Sequence, residues 1–167
     1  MAKAVKPAAK KKTVAKKAAA KKAKPKPESS KNEIGIKYTD KSPGQEHLVP
    51  IFDAIVKMMK PYEKDHVKFK GGKGGQVALI SEKKVVIAGR ERDELWVAAA
   101  LVQKGYVGFY LMGVQDKNVH KRLHPDLLRC LKGKSCFHIK KFDKEVARQI
   151  DEALEAGYNN YKQLGYI

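Results

Sequence analysis

The chain has 167 residues, which is enough for one domain with a hydrophobic core plus a tail. Its 36 Lys and Arg residues outnumber its 18 Asp and Glu residues, and the resulting net charge of +18 favours a polyanionic partner. Two cysteines are too few for a secreted disulfide framework. Because the sequence has no long apolar run and no signal-peptide core, we expect a cytoplasmic protein that does not span a membrane.

Residues 1–32 are predicted to form a disordered tail, because their Lys/Ala/Pro composition buries too little apolar surface to offset the entropy of ordering. Residues 1–28 carry 11 Lys and one Glu, a formal charge of +10. The composition resembles the lysine-rich tails of linker histones and bacterial histone-like proteins, which implies polyanion binding. The alternative is a solubilising low-complexity extension. The candidate phosphate-binding residues are Lys3, Lys6, Lys10, Lys11, Lys12, Lys16, Lys17, Lys21, Lys22, Lys24 and Lys26.

A polar linker is predicted over residues 33–45, and a folded domain over residues 46–167. The domain opens with a helix predicted over residues 47–60, since its apolar residues recur at spacings of three and four. Those residues are Leu48, Phe52, Ile55 and Met59. Pro61 is expected to end the helix.

Five segments with strand-like composition follow, at residues 67–70, 76–81, 84–88, 95–102 and 106–111. Residues 95–102 are apolar on both faces, which is typical of a strand in the middle of a sheet. Lys104 and Gly105 can form a tight turn to the next strand. We therefore predict an α+β domain, with a mainly antiparallel sheet of four to five strands packed with helices.

The C-terminal third is predicted to be mixed. Pro125 can begin a short helix that Gly133 closes, and residues 135–139 alternate like a final edge strand. Asp143 can cap a last helix, which Gly157 interrupts or ends.

Few residues have the spacing of a catalytic or metal site. His120 and His124 would share a helical face but lack a catalytic Glu between them. Cys130, Cys136 and His138 have a spacing that matches no structural zinc pattern, so we predict no metal and no cofactor. No nucleophile arrangement is recognisable, and we expect a protein that is not an enzyme.

A basic rim is a second candidate for nucleic-acid binding. Aromatic side chains interleaved with cations can stack bases, although such aromatics are also ordinary strand residues. The cations are Lys68, Lys70, Lys73, Arg90 and Arg92, and the aromatics are Tyr106, Phe109 and Tyr110.

The run GYVGFYLM at residues 105–112, followed by HPDLLRCLKGKSCFHIKKFD at 124–143 and a closing helix, resembles the YdhG-like family of uncharacterised domains, known as the DUF1801 domains. The most specific piece is GKSCF, formed by Gly133, Lys134, Ser135, Cys136 and Phe137. The resemblance covers roughly residues 46–160 and implies a compact two-layer α+β domain with no established reaction. One branch of the family has been proposed as frataxin-like iron chaperones, a role that calls for a carboxylate-rich ridge.

Two functions are therefore expected. The first is a non-enzymatic protein that associates with nucleic acid, in the cytoplasm or at the nucleoid, through its polycationic tail. The alternative is a small-ligand or metal-binding domain of the frataxin-like kind, whose tail solubilises or localises it. Peripheral attachment to a membrane ranks last, because no apolar anchor accompanies the charge.

Overall fold

The computed structural model describes residues 29–31, 37–72 and 74–167. Short 3-10 turns at Glu46–Leu48, Lys60–Tyr62 and Met112–Gln115 supplement the regular elements. In chain order these elements are β1 (Ser29–Lys31), β2 (Lys37–Thr39), α1 (Val49–Met59), β3 (Val67–Gly72), β4 (Gln76–Ser81), β5 (Val85–Ile87), β6 (Arg90–Arg92), β7 (Leu95–Gln103), β8 (Tyr106–Leu111), α2 (Lys117–His120), α3 (Pro125–Arg129), β9 (Leu131–Lys132), β10 (Cys136–Ile139) and α4 (Lys144–Gln163).

Six of the described strands form one antiparallel sheet in the order β3-β4-β7-β8-β10-β9. The strand β7 lies between β4 and β8, in agreement with its apolar sequence. Gly105 adopts φ +85° in the turn from β7 to β8, as the predicted tight turn requires. The predicted fold class, an antiparallel sheet packed with helices, is confirmed.

The helices pack against one face of this sheet and form the main core with it. Ile55 and Met59 of α1 and Ile150 of α4 are fully buried there, together with Phe109 and Phe137 of the sheet. Asp143 caps α4, because its Oδ1 accepts hydrogen bonds from the backbone N–H groups of residues 145 and 146 at 3.0 and 2.9 Å.

Gly157 does not interrupt α4, contrary to the prediction. A Cβ at this position would lie 2.6 Å from Cδ1 of Leu111 on β8. The glycine is therefore needed where the helix backbone lies close to the sheet, and α4 runs unbroken for 20 residues.

Strand pairing corrects three other predictions. The strand expected at residues 84–88 is confirmed as β5, but it pairs with β6 in a separate two-stranded sheet and does not join the main one. The strand β10 is not an edge strand, because β9 pairs with it on its outer side. Gly133 adopts φ +72° between these two strands and does not close α3, which ends at Arg129.

The N-terminal predictions are only partly covered. The strands β1 and β2 pair with each other and lie within the ranges assigned to the tail and the linker. The eleven candidate lysines of the tail lie outside the described residues. None of the helices in the described part of the chain is both long enough and apolar enough to cross a bilayer.

Candidate nucleic-acid interface on the helix-free face

Alternation along the strands divides their side chains between the two faces of the sheet. On β8, Val107, Phe109 and Leu111 enter the main core, whereas Tyr106 and Tyr110 point to the other face. Among the described residues no helix packs on that second face, which we call the helix-free face. It comprises Lys68, Lys70, Gln76, Ala78, Ile80, Trp96, Ala99, Leu101, Gln103, Tyr106, Gly108, Tyr110, Lys132, Cys136 and His138.

Two aromatic rings stack on the helix-free face. His138 of β10 pairs with Gly108 of β8, which places its imidazole diagonally beside the ring of Tyr106. The ring centroids are 3.7 Å apart and the ring planes differ by 14°. Both residues are partly exposed. This ring pair therefore offers a flat aromatic surface at one end of the sheet.

Gly108 leaves the space that this cluster occupies. A Cβ at this position would lie 3.0 Å from Cε2 of Tyr110 and 3.4 Å from the sulfur of Cys136. Because a glycine stands here, the ring of Tyr110 can lie over the strand. The repeat of Tyr106, Gly108 and Tyr110 on one face thus fixes the geometry of the cluster.

Cys136 is a half-buried partner of this cluster and not a reactive thiol. Burial raises its pKa above the ordinary value, although the hydrogen bond donated by the Tyr110 hydroxyl has the opposite effect. Burial and the contact with Cys136 also raise the pKa of Tyr110. Both groups are therefore protonated at neutral pH, and the arrangement does not activate a cysteine nucleophile.

Two lysines, Lys132 and Lys140, lie near the imidazole of His138. Burial first, and then the charges of Lys132 and Lys140, lower the pKa of His138. His138 is therefore neutral at pH 7 and lies beside two cations. Within the described part of the chain, no ion pair includes Lys132, Lys134 or Lys140. Their charge is available to a bound anion.

The predicted basic rim is only partly assembled. Lys68 and Lys70 lie on the helix-free face, but Lys70 forms ion pairs with Glu82 and Glu94 at 3.0 and 2.5 Å. Phe109 belongs to the main core and is fully buried, so it is excluded from the rim.

Arg90 and Arg92 are exposed on β6, which belongs to a separate sheet. Lys73 lies outside the described residues. The basic rim predicted from the sequence did not include Lys132, His138 and Lys140, and His138 was considered there only as a metal ligand. The alternation of β10 nevertheless places His138 and the following Lys140 on one face.

Two hydrogen bonds hold residues 41–45, which follow the tail, beside the ring pair. Nζ of Lys41 donates a hydrogen bond to Oε1 of Gln103 at 2.8 Å, and Gln103 is the partner of Tyr106 across the hairpin. The Gly105 N–H also donates to Oε1 of Gln45 at 2.7 Å. The N-terminal segment thus enters the fold at the rim of the helix-free face.

The residues of the GKSCF motif have mixed roles. Gly133, Lys134 and Ser135 form the turn from β9 to β10, and the Lys134 carbonyl accepts a hydrogen bond from Gln115 at 2.6 Å. Cys136 faces the aromatic cluster. Phe137 packs on Phe109 in the main core, with ring centroids 5.7 Å apart.

The candidate metal ligands do not converge. Cys130 packs against the main core and Cys136 lies on the helix-free face, and both are free thiols. His120 ends α2, whereas His124 precedes α3 and its Nδ1 accepts from the backbone of residue 126. In the part of the chain that the structure describes, no group of three or more His, Cys, Asp or Glu residues could hold a metal ion.

Comparisons with protein-family models, with curated proteins and with solved structures found no match to this chain. The likeness to YdhG-like domains therefore remains a hypothesis, based on the residues of the motif.

Proposed function

We propose that this chain is a non-enzymatic, cytoplasmic protein that associates with nucleic acid through sequence-tolerant phosphate binding. One observation supports this proposal above the others. The tail, of which residues 1–28 carry a charge of +10, leads into the fold at Lys41 and Gln45, at the rim of a face that presents lysines without ion pairs among the described residues. Tail and face can therefore contact the same polyanion.

The binding is expected to be electrostatic and tolerant of sequence. Lysine ammonium groups contact phosphates as point charges and read no base edges. Each phosphate that is neutralised releases condensed counterions, so the affinity must fall steeply as salt rises. If about six to eight lysines contact DNA, log K against log salt has a slope of roughly minus five to minus seven.

Fluorescence anisotropy of a labelled double-stranded DNA, titrated with the full chain at several salt concentrations, tests the proposal. Replacing all eleven tail lysines with glutamine should remove most of the affinity and flatten the salt dependence. A matched control keeps the composition of residues 1–28 and scrambles their order. It should bind like the natural chain, because the charge is unchanged. A flat salt dependence of the natural chain would refute the proposal.

A further inference from the structure

We propose that the helix-free face binds single-stranded nucleic acid, with an unpaired base stacked on the ring pair of Tyr106 and His138. Lys132 and Lys140 would contact the phosphates on either side of that base. This inference rests on the proposed function and deepens it, because it assigns a particular form of nucleic acid to a particular surface.

Charge identifies the occupant of this face. Lys132 and Lys140, which act on His138, are exposed and, among the described residues, have no acidic partner within ion-pair distance. The chain's own tail carries +10 and would be repelled by them. A second copy of this basic chain is disfavoured for the same reason. A polyanion is the complementary partner.

The rings identify the form of the polyanion. Stacking on a protein ring requires a base whose flat face is free, and in a duplex both faces of each internal base are covered by its neighbours. The Tyr106–His138 pair, already parallel within 14° and partly exposed, can be extended by such a base. His138 is neutral at pH 7, so its ring acts through stacking and the adjacent lysines supply the charge.

The partly exposed rings of this face suit an extended strand. Ala78 and Ala99 of the sheet are fully buried, because the side chains of Leu101, Tyr110 and Trp96 pack against them. Tyr110 and Trp96 are themselves partly exposed. A strand crossing the face can therefore place further bases beside Tyr110 and Trp96.

Trp96 also provides a direct signal, since it is the single tryptophan of the chain and lies on the helix-free face. We expect its fluorescence to change when a single-stranded thymidine 12-mer binds. The change should be smaller with a duplex of equal length that is held by the tail.

The decisive experiment measures the affinity of the full chain for the labelled 12-mer and for the duplex at one physiological salt concentration. Tyr106→Ala combined with His138→Ala should weaken binding of the single strand by roughly 5- to 150-fold, which is the range of one lost base stack. The affinity for the duplex should change by less than about twofold, because a duplex binds only through its phosphates, which contact lysines. Tyr106→Phe keeps the ring and should retain the natural affinity.

Matched charge controls separate stacking from general electrostatics. Lys57 and Lys162 are exposed on α1 and α4, away from the helix-free face. Replacing both with glutamine removes the same charge as replacing Lys132 and Lys140. We expect the Lys132/Lys140 change to weaken single-strand binding more than the control change.

The outcomes are distinguishable. If the natural chain binds neither oligonucleotide, the proposed function and this inference both fail. If it binds both and the ring substitutions weaken both equally or neither, the inference alone is overturned. Should the double variant fail to fold, ultraviolet crosslinking of the natural chain to 5-iodouracil in the 12-mer decides the question. Crosslinks at Tyr106, Tyr110, Trp96 or His138 support the inference, and crosslinks confined to the tail overturn it.

Discussion

Replacing Gly157 with alanine should destabilise the protein in the natural background and stabilise it when Leu111 is alanine. In an exposed helix interior, alanine is favoured over glycine by about 1 kcal/mol. Here the added Cβ would lie 2.6 Å from Cδ1 and 3.3 Å from Cγ of Leu111, whereas carbon atoms pack best at about 3.5–4.0 Å. Such overpacking in a filled core costs about 1–3 kcal/mol, so we expect a net loss of up to about 2 kcal/mol after the gain in helix propensity.

The Leu111→Ala background removes the atoms that the new methyl group would strike. That substitution alone should cost about 2–5 kcal/mol, because Leu111 is 1% exposed. In this background Gly157→Ala should gain about 1 kcal/mol from helix propensity. The coupling energy between the two sites is then about 1–3 kcal/mol, above the roughly 0.5 kcal/mol scatter of independent sites.

Urea denaturation followed by Trp96 fluorescence and circular dichroism measures these values. Leu79→Ala is the matched control background, since Leu79 is equally buried but lies on β4, two strands away from β8. Gly157→Ala should cost the same there as in the natural chain. If the cost is also the same in the Leu111→Ala background, close packing does not explain the glycine.

Two further predictions concern single groups. Asp143→Ala should cost about 1 kcal/mol in urea denaturation, because two N-cap hydrogen bonds of α4 are lost, and Asp143→Asn should cost less. Burial and nearby lysines lower the pKa of His138. The folded state therefore binds the His138 proton less tightly than the unfolded state does. The contribution of His138 to the free energy of unfolding is present above the unfolded pKa, and it is lost as the pH falls through the folded pKa. Titration of His138 by NMR should show a pKa below the ordinary value for histidine. Replacing Lys132 and Lys140 with glutamine should raise this pKa towards the ordinary value. An ordinary pKa in the natural chain would contradict the reasoning.

Local patterns predicted the elements whose neighbours in space are also neighbours in sequence. The apolar spacing that includes Leu48 and Ile55 located α1, and the continuous apolar run of β7 placed it inside the sheet. Asp143 marked the start of α4, because capping depends on the next three residues alone. These signals were sufficient for the fold class.

The errors came from glycines whose role depends on distant residues. A glycine such as Gly157 is typical of a helix end, but this one is required by the close approach of Leu111, which lies more than forty residues earlier in the chain. Gly133 was assigned to a helix end and instead turns β9 into β10. Glycine is favoured both where φ is positive and where the backbone lies close to another side chain, so the sequence alone does not show which of the two applies.

The candidate interface was hidden for a different reason. Alternation in YVGFYL shows that Tyr106 and Tyr110 share a face, but it does not show which face the helices cover. The pattern of β10 adds His138 to the same face only when the register against β8 is known. Once that register is fixed, the core receives the apolar Val107, Phe109 and Leu111 of β8, and the helix-free face receives Tyr106 and Tyr110, whose rings also tolerate water. Tyrosine and histidine suit any sheet face exposed to water. What favours a nucleic-acid surface is the combination with Lys132 and Lys140, and with the Lys41–Gln103 hydrogen bond that fastens the base of a polycationic tail beside those rings.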